Sequence, residues 1–302
     1  MIMVFGMGGI GGYIGAKLGA VPAKAGFELS FIARGAHLEA IKSKGLRFRA
    51  SDGAESVVRP AIATADPAAV GLVDLVFLCV KGYDLEAACR ALAPVVGPRT
   101  VVVPLLNGAD IHERVRKFLK AGIVLPAGIY ISSSVTEPGL VVHAGGKGNL
   151  FLGNESGKTG FDPAPLRAVL EAASLPYEWF DDPRPAVWTK YLFIASFGLV
   201  TGMSGKSIGG VVADEELSAL ARGIQTEIAA IAKAEGVVLP ADAAVAAFEK
   251  GKGFPFATKT SYQRDLEVPG KPNEGELFGG TILALGKKHG IPTPMTERAY
   301  KR

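Results

Sequence analysis

The chain has 302 residues, a length that favours two domains over one. At 48% hydrophobic and 21% charged residues it has the composition of a soluble globular protein, and a net charge of +4 is too mild to point to nucleic acid. Cys79 and Cys89 match no zinc spacing and allow one disulfide at most, so a reducing, cytoplasmic setting is expected. His37, His112, His143 and His289 are scattered and suggest no metal centre. No basic leader precedes the opening MIMVFG, and the longest apolar run, residues 191–203, is short of the ~20 residues that span a bilayer.

In chain order, residues 2–5 (IMVF) read as a strand and 10–19 as a helix. Residues 28–34 (ELSFIAR) give the next strand, and 36–45 a helix closed by Gly45. Residues 46–50 and 56–63 have the look of edge strands. Residues 73–80 (VDLVFLCV) form a buried strand followed by a helix over 83–96. Residues 100–107 (TVVVPLLN) form another, followed by a helix over 110–122. Strands and helices alternating at this length predict a parallel sheet with helical crossovers. From 123 to 153 short strands and Gly-rich turns replace the helices, as an antiparallel addition to the sheet edge, and 175–180 (LPYEWF) reads as a last strand. The DDPRP segment at 181–185 ends the pattern, and beyond it helices are expected over 186–203, 214–235, 241–251 and 273–289. The expected fold class is α/β: a Rossmann-type dinucleotide-binding domain over 1–182 with an antiparallel edge addition, then an all-helical domain over 183–302.

The first strand runs into Gly6-Met7-Gly8-Gly9-Ile10-Gly11, a G-x-G-x-x-G that opens a helix. In that context Gly6 permits the tight turn, Gly8 lets the backbone approach a pyrophosphate, and Gly11 lets helix pack on strand. The helix N-terminus meets the phosphate charge. A glycine turn without a ligand is the bland alternative. The end of the second strand selects the nucleotide. An NAD site usually carries an acid there, whereas this chain has Arg34 and no acid before Glu39. A guanidinium suits a 2′-phosphate, so NADP(H) is the expected cofactor, with an ordinary surface arginine as the alternative. GNESGKTG at 153–160 imitates a phosphate-binding loop, but Leu152 stands where that pattern needs glycine, and it is read as a surface turn.

A dinucleotide site leaves an oxidoreductase, a redox-sensing regulator and a binding scaffold all open. Reduction of a ketone needs a proton donor where charge develops on oxygen. Lys190 stands out in VWTKYLFIASFG, among Trp188, Tyr191, Leu192 and Phe193. Partial burial lowers a lysine's pKa and makes it a better donor near neutral pH. On composition alone, a lysine whose head snorkels to water is at least an equal reading.

Across nearly its whole length the chain resembles the ketopantoate reductase (2-dehydropantoate 2-reductase) family. The resemblance is carried by FGMGGIGGYIG, ARGAHLEAIKSKGL, CVKGYD, LLNGAD, EPGLVVHAGGKGNLFLG, VWTKYLFIAS, TSYQRDLEVPGKPNEGELFGG and KKHGIPTPM. It implies NADPH-dependent reduction of a small 2-keto acid, ketopantoate to pantoate, in pantothenate and coenzyme A biosynthesis. It implies Lys190 as general acid and Glu274 as its acidic partner, both at the substrate. Lys81 and Asn107 match positions contacting cofactor and the reacting region, Ser261 one contacting substrate, and Arg34 the 2′-phosphate arginine. Gly6, Gly8, Gly9, Ile10 and Gly11 would hold the cofactor. The expected partners are that substrate and, as a homodimer, a second copy of the chain; neither membrane nor nucleic acid is expected. One departure stands out. Where the family has asparagine one helical turn after the lysine the chain has Ile194, and one turn further Gly198. Ser261, Glu274 or Ser196 is left to compensate. A relative acting on a different 2-keto acid, and a nucleotide-binding protein without catalysis, stay open beside the first reading.

Overall fold

The computed structural model describes residues 1–22, 26–155 and 160–300. The chain forms two compact units, one of Met1–Leu106 and Ile111–Pro183, the other of Asn107–Asp110 and Arg184–Arg302. The chain therefore divides inside the DDPRP segment, and the short piece Asn107–Asp110 goes with the second unit although it follows a strand of the first.

The elements of the first unit are β1 (Ile2–Phe5), α1 (Gly9–Gly19), β2 (Leu29–Ile32), α2 (Gly35–Lys44), β3 (Leu46–Arg49), β4 (Glu55–Val58), β5 (Ile62–Thr64), β6 (Val73–Leu78), α3 (Leu85–Leu92), β7 (Val96–Pro104), α4 (Ile111–Phe118), β8 (Ile123–Val124), β9 (Ala127–Glu137), β10 (Leu140–Gly153), α5 (Ala164–Ala172) and β11 (Tyr177–Phe180). A six-stranded sheet runs in the order β5-β2-β1-β6-β7-β8, and every pairing in it is parallel. Its central strands are apolar on both faces, with Met3, Val4, Phe31, Val76 and Phe77 wholly buried, as a sheet covered on both sides requires. The chain builds outward from β1 to β5, then returns to β6 on the other side of β1. This reversal opens a crevice at the carboxyl ends of β1 and β6, the usual place for a ligand in such sheets.

The antiparallel hairpin β9–β10 is present, and it builds a second sheet of five strands, in the order β11-β10-β3-β4 with β9 on β10. β10 is 14 residues long and changes register with β9 around Gly145. Such irregularities bend a strand. One end, Leu140–Val142, pairs with β3 and the other, Leu150–Gly153, with β11. β3 is thus paired on both sides, not an edge strand. The single strand expected over 56–63 is two strands in two sheets. Pro60 lies between them, lacking an N–H for either ladder. Helix α5 was not foreseen. Pro163 and Pro165 stand at its N-cap and in its first turn, where a missing N–H costs nothing. In the phosphate-loop look-alike, residues 156–159 lie outside the described residues, and Gly153 closes β10.

The second unit is helical: α6 (Arg184–Ser204), α7 (Ile208–Ala213), α8 (Glu215–Ala234), α9 (Ala243–Lys252), α10 (Ser261–Leu266), a π-helical turn (Glu276–Gly280), α11 (Thr281–His289) and α12 (Pro294–Tyr300). At 21 residues α6 is longer than the apolar run foretold, and by length and composition it could cross a membrane. Two features mark it as a core helix: 67% of that apolar window is buried, and its own buried residues fall on every side of the helix. The π-helical turn replaces the regular start expected for a helix over 273–289. The Tyr191 hydroxyl, on α6, lies 2.8 Å from the Leu277 carbonyl and 2.7 Å from that of Phe278, taking up acceptors that the widened turn presents.

Candidate active site

Gly6 turns the chain after β1 at φ +95°, where a side chain is strained, and a Cβ there would meet the Cys79 carbonyl oxygen at 2.8 Å. A Cβ on Gly11 would meet the Gly6 carbonyl oxygen at 2.0 Å, so only glycine lets α1 begin this close to the strand end. Gly8 is different: it is exposed, and a Cβ there would meet nothing within 4 Å. The space over the turn is open for an approaching phosphate. The first helical bond runs from the Gly12 N–H to the Gly8 carbonyl at 2.7 Å. The amides of Gly9, Ile10 and Gly11 therefore belong to the first turn, whose N–H groups and dipole favour an anion. Gly9 also packs against the Ser133 backbone of β9, and the Ser133 hydroxyl donates to its carbonyl at 2.9 Å.

Gly6 and Gly8, Arg34 and His37 after β2, and Lys81 and Asp84 after β6 line one cleft of about 500 Å³ in the first unit. An open glycine turn, amides at a helix start and a cationic side chain beyond β2 fit a dinucleotide. Arg34 is exposed, and its guanidinium donates to Asp84 at 2.7 Å. His37 accepts a hydrogen bond from the Gly139 N–H at its Nδ1, at 2.9 Å. Burial pushes its pKa below the ordinary histidine value, against the pull of the Met7 carbonyl, so the ring is neutral with its proton on Nε2.

The other group of expected site residues lies in the second unit. Lys190 is only 8% exposed, so its head does not snorkel to water. Its ammonium donates to the Asn107 side-chain carbonyl at 2.9 Å. Burial pulls its pKa down to about 8; the buried Glu274 carboxylate works against this, and Lys250 adds to it. A lysine with such a pKa changes charge near neutral pH, which suits proton donation. The structure therefore groups Gly6, Gly8, Arg34 and Lys81 at one cleft and Lys190, Asn107 and Glu274 together, with Asn107 beside the lysine. Ser261 is exposed and opens α10, whose N-cap is Thr260.

The departures from the family pattern are apolar in the structure too. Ile194 is half-buried on α6, one turn after Lys190. Gly198 is buried, and a Cβ there would meet the Phe278 ring at 3.2 Å, which leaves no ready room for asparagine. Ser196 cannot compensate: it is wholly buried, donates to the Leu192 carbonyl at 2.6 Å and accepts from Gln225 at 3.0 Å.

Three neighbours of these groups escaped sequence reasoning. Asp84 meets Arg34 across 50 residues of sequence. His37 looked like one scattered histidine among four. Lys250 sits at the end of α9, where a lysine is unremarkable, yet its ammonium lies 5.5 Å from the ring centroid of Phe193, three residues after Lys190.

A family model described as ketopantoate reductase PanE/ApbA matches residues 2–157, and its C-terminal counterpart matches residues 182–302. A 2-dehydropantoate 2-reductase of Mesorhizobium japonicum is 34% identical over 316 residues, covering 98% of this chain and 94% of its own. A crystal structure of a PanE/ApbA family ketopantoate reductase from Ralstonia eutropha superposes with a TM-score of 0.87 at 32% identity, covering 99% and 96% of the two chains. The fold is shared more widely: a D-mandelate dehydrogenase solved with NADH and anilino(oxo)acetate gives a TM-score of 0.86 at 21% identity, over 99% and 96%. With both halves matched and the likeness running end to end, the chain belongs to the ketopantoate reductase family and is an oxidoreductase.

Proposed function

We propose that the protein reduces a 2-keto acid to the 2-hydroxy acid with NADPH, and that ketopantoate is its first substrate. The observation that carries this reading is Lys190, buried, with a pKa near 8, bonded to Asn107 and balanced by Glu274. When bound, NADPH supplies the hydride to the carbonyl carbon. The Lys190 ammonium gives its proton to the carbonyl oxygen as charge develops there, and the neutral amine regains a proton from water. Asn107 orients the ammonium, and Glu274 keeps the lysine charged enough to serve as acid. Lys250 is a second cation acting on Lys190, so a substrate carboxylate relieves a like-charge repulsion when it enters. Gly6, Gly8, Gly9, Ile10 and Gly11 would hold the pyrophosphate and Arg34 the 2′-phosphate, and Lys81, lining the same cleft, would contact the cofactor. The dinucleotide relatives include NADH complexes, so the preference for NADPH rests on Arg34. Both thiols are free and buried, in keeping with a cytoplasmic enzyme.

A second reading, a branched 2-keto acid without a terminal hydroxyl, is favoured by Ile194 and by Gly198 beneath Phe278. A site that reads a hydroxyl rejects analogues lacking it, whereas an apolar one discriminates poorly. The test is NADPH oxidation over a panel of 2-keto acids, with kcat/KM for ketopantoate and 2-ketoisovalerate compared in the parent and in Ile194→Asn. The expected result is turnover of both, with a ratio that Ile194→Asn raises about tenfold or more. Lys190→Ala should cut kcat by about 10²–10⁴-fold. Parent-level turnover by folded Lys190→Ala would move the chemistry elsewhere.

A further inference from the structure

We propose that Asp84 is a second reader of the cofactor's 2′ position: it competes with a 2′-phosphate for Arg34, accepts the hydroxyl of an unphosphorylated ribose, and so sets how strongly the protein prefers NADPH to NADH. The inference rests on the reading of the cleft as a dinucleotide site. After β2 the chain lacks the acid that an NAD site usually places there, and the next acid, Glu39, points its carboxylate to Lys42 on the exposed side of α2. The fold nevertheless brings an acid to that end of the cleft. Asp84 comes from the connection after β6, the strand beside β1, and lines the cleft with Arg34.

Two features fit Asp84 for this role. It stands at the N-cap of α3, yet its side chain makes no capping hydrogen bond, and its carboxylate is turned to Arg34 at 2.7 Å instead. Its side chain is 30% exposed and Arg34's is 72%, so the acid is the anchored member and the guanidinium the one that moves. A 2′-phosphate must then draw Arg34 from Asp84, or sit beside a carboxylate of like charge. A 2′-hydroxyl meets no such conflict, because an ionised carboxylate is an acceptor only and takes its O–H. One pair thus holds both halves of the choice that other dinucleotide sites make with a single residue.

The experiment is titration calorimetry with NADPH and with NADH on the parent, Asp84→Asn and Arg34→Ala. Asparagine is as good an N-cap as aspartate, so the first variant keeps the helix start. In Asp84→Asn the dissociation constant for NADPH should fall about three- to tenfold while that for NADH rises, as expected for removing a surface charge pair. Asp84→Ala should act in the same direction. In Arg34→Ala the preference for NADPH should collapse. If Arg34→Ala collapses it and neither Asp84 variant moves the ratio of the two constants beyond about twofold, the cleft reading stands and the role of Asp84 is overturned. If Arg34→Ala leaves the ratio as it was, the cleft reading falls and takes the proposal with it.

Discussion

Lys190 is held between opposing influences, and each has a named source. Burial lowers its pKa to about 8, Glu274 raises it, and Lys250 lowers it further. As the proposed proton donor it must be charged, so kcat/KM should fall as pH rises through about 8, one proton being lost. Glu274→Gln removes the carboxylate that favours the charged form, and this limb should move to lower pH by roughly a unit. Lys250→Met removes a repelling cation, and the limb should move the other way. These opposite displacements separate electrostatic control from mere damage, which lowers rates at every pH alike. A limb that stays put in both folded variants would show that the titrating acid is another group.

At the scale of elements, the buried Glu155 shows how one side chain ties α4 to the β8 region. Its carboxylate takes a bidentate bond from Arg116, one from His112 at 3.2 Å and one from the Val124 N–H at 3.0 Å. Burial alone would raise its pKa, but these donors together hold it below the usual carboxylate range. Glu155→Ala takes the carboxylate from the half-buried Arg116, which keeps only the carbonyls of Leu119, Ala121 and Gly122, and should destabilise by about 3 kcal/mol, read from urea unfolding. A carboxylate with a lowered folded pKa contributes its stability above its unfolded pKa and loses it as pH falls through the folded one. The deficit should therefore be full at pH 7 and shrink in acid. An equal deficit at pH 7 and in acid would assign the loss to packing.

What could be read from the sequence divides along the same line of local against distant causes. The parallel half was legible because each strand, turn and helix carries its own signal, as in IMVF followed by the glycine turn. The second sheet was not, because β10 changes partners along its length and its glycines carry no register. Helix α5 was hidden by prolines whose cost depends on position within the turn. At the site, Gly6, Arg34 and Lys190 announced themselves through neighbours in the chain. Asp84 and Lys250 did not, since what matters about them is a partner far away in sequence.

Among the described residues, one core of the first unit gathers side chains such as Val4, Phe31, Phe77, Val141 and Leu150 from both sheets, and in the second unit α6 is buried along most of its length. Gly6, Gly8, Arg34 and Lys81 line one cleft of the first unit, so a dinucleotide bound there as proposed would act on that unit's stability directly. A ligand bound only by the folded form stabilises by about 2.7 kcal/mol at a hundredfold excess over Kd. Amide exchange that needs opening of that unit should slow by about the same hundredfold. We therefore expect the slowest amides of β1, β2 and β6 to gain this protection in saturating NADPH. The slowest amides of α8 and α12 should gain far less. Within the second unit Glu227 provides an internal reference: it accepts bonds from the Met295 and Thr296 amides at 2.7 and 3.0 Å, fixing the start of α12 without reference to the cofactor. Hydrogen exchange with and without NADPH, followed by peptide, makes the comparison. Equal protection of β1 and α12 would show that the two units open as a single cooperative body, and that the cofactor's binding free energy is shared across the chain.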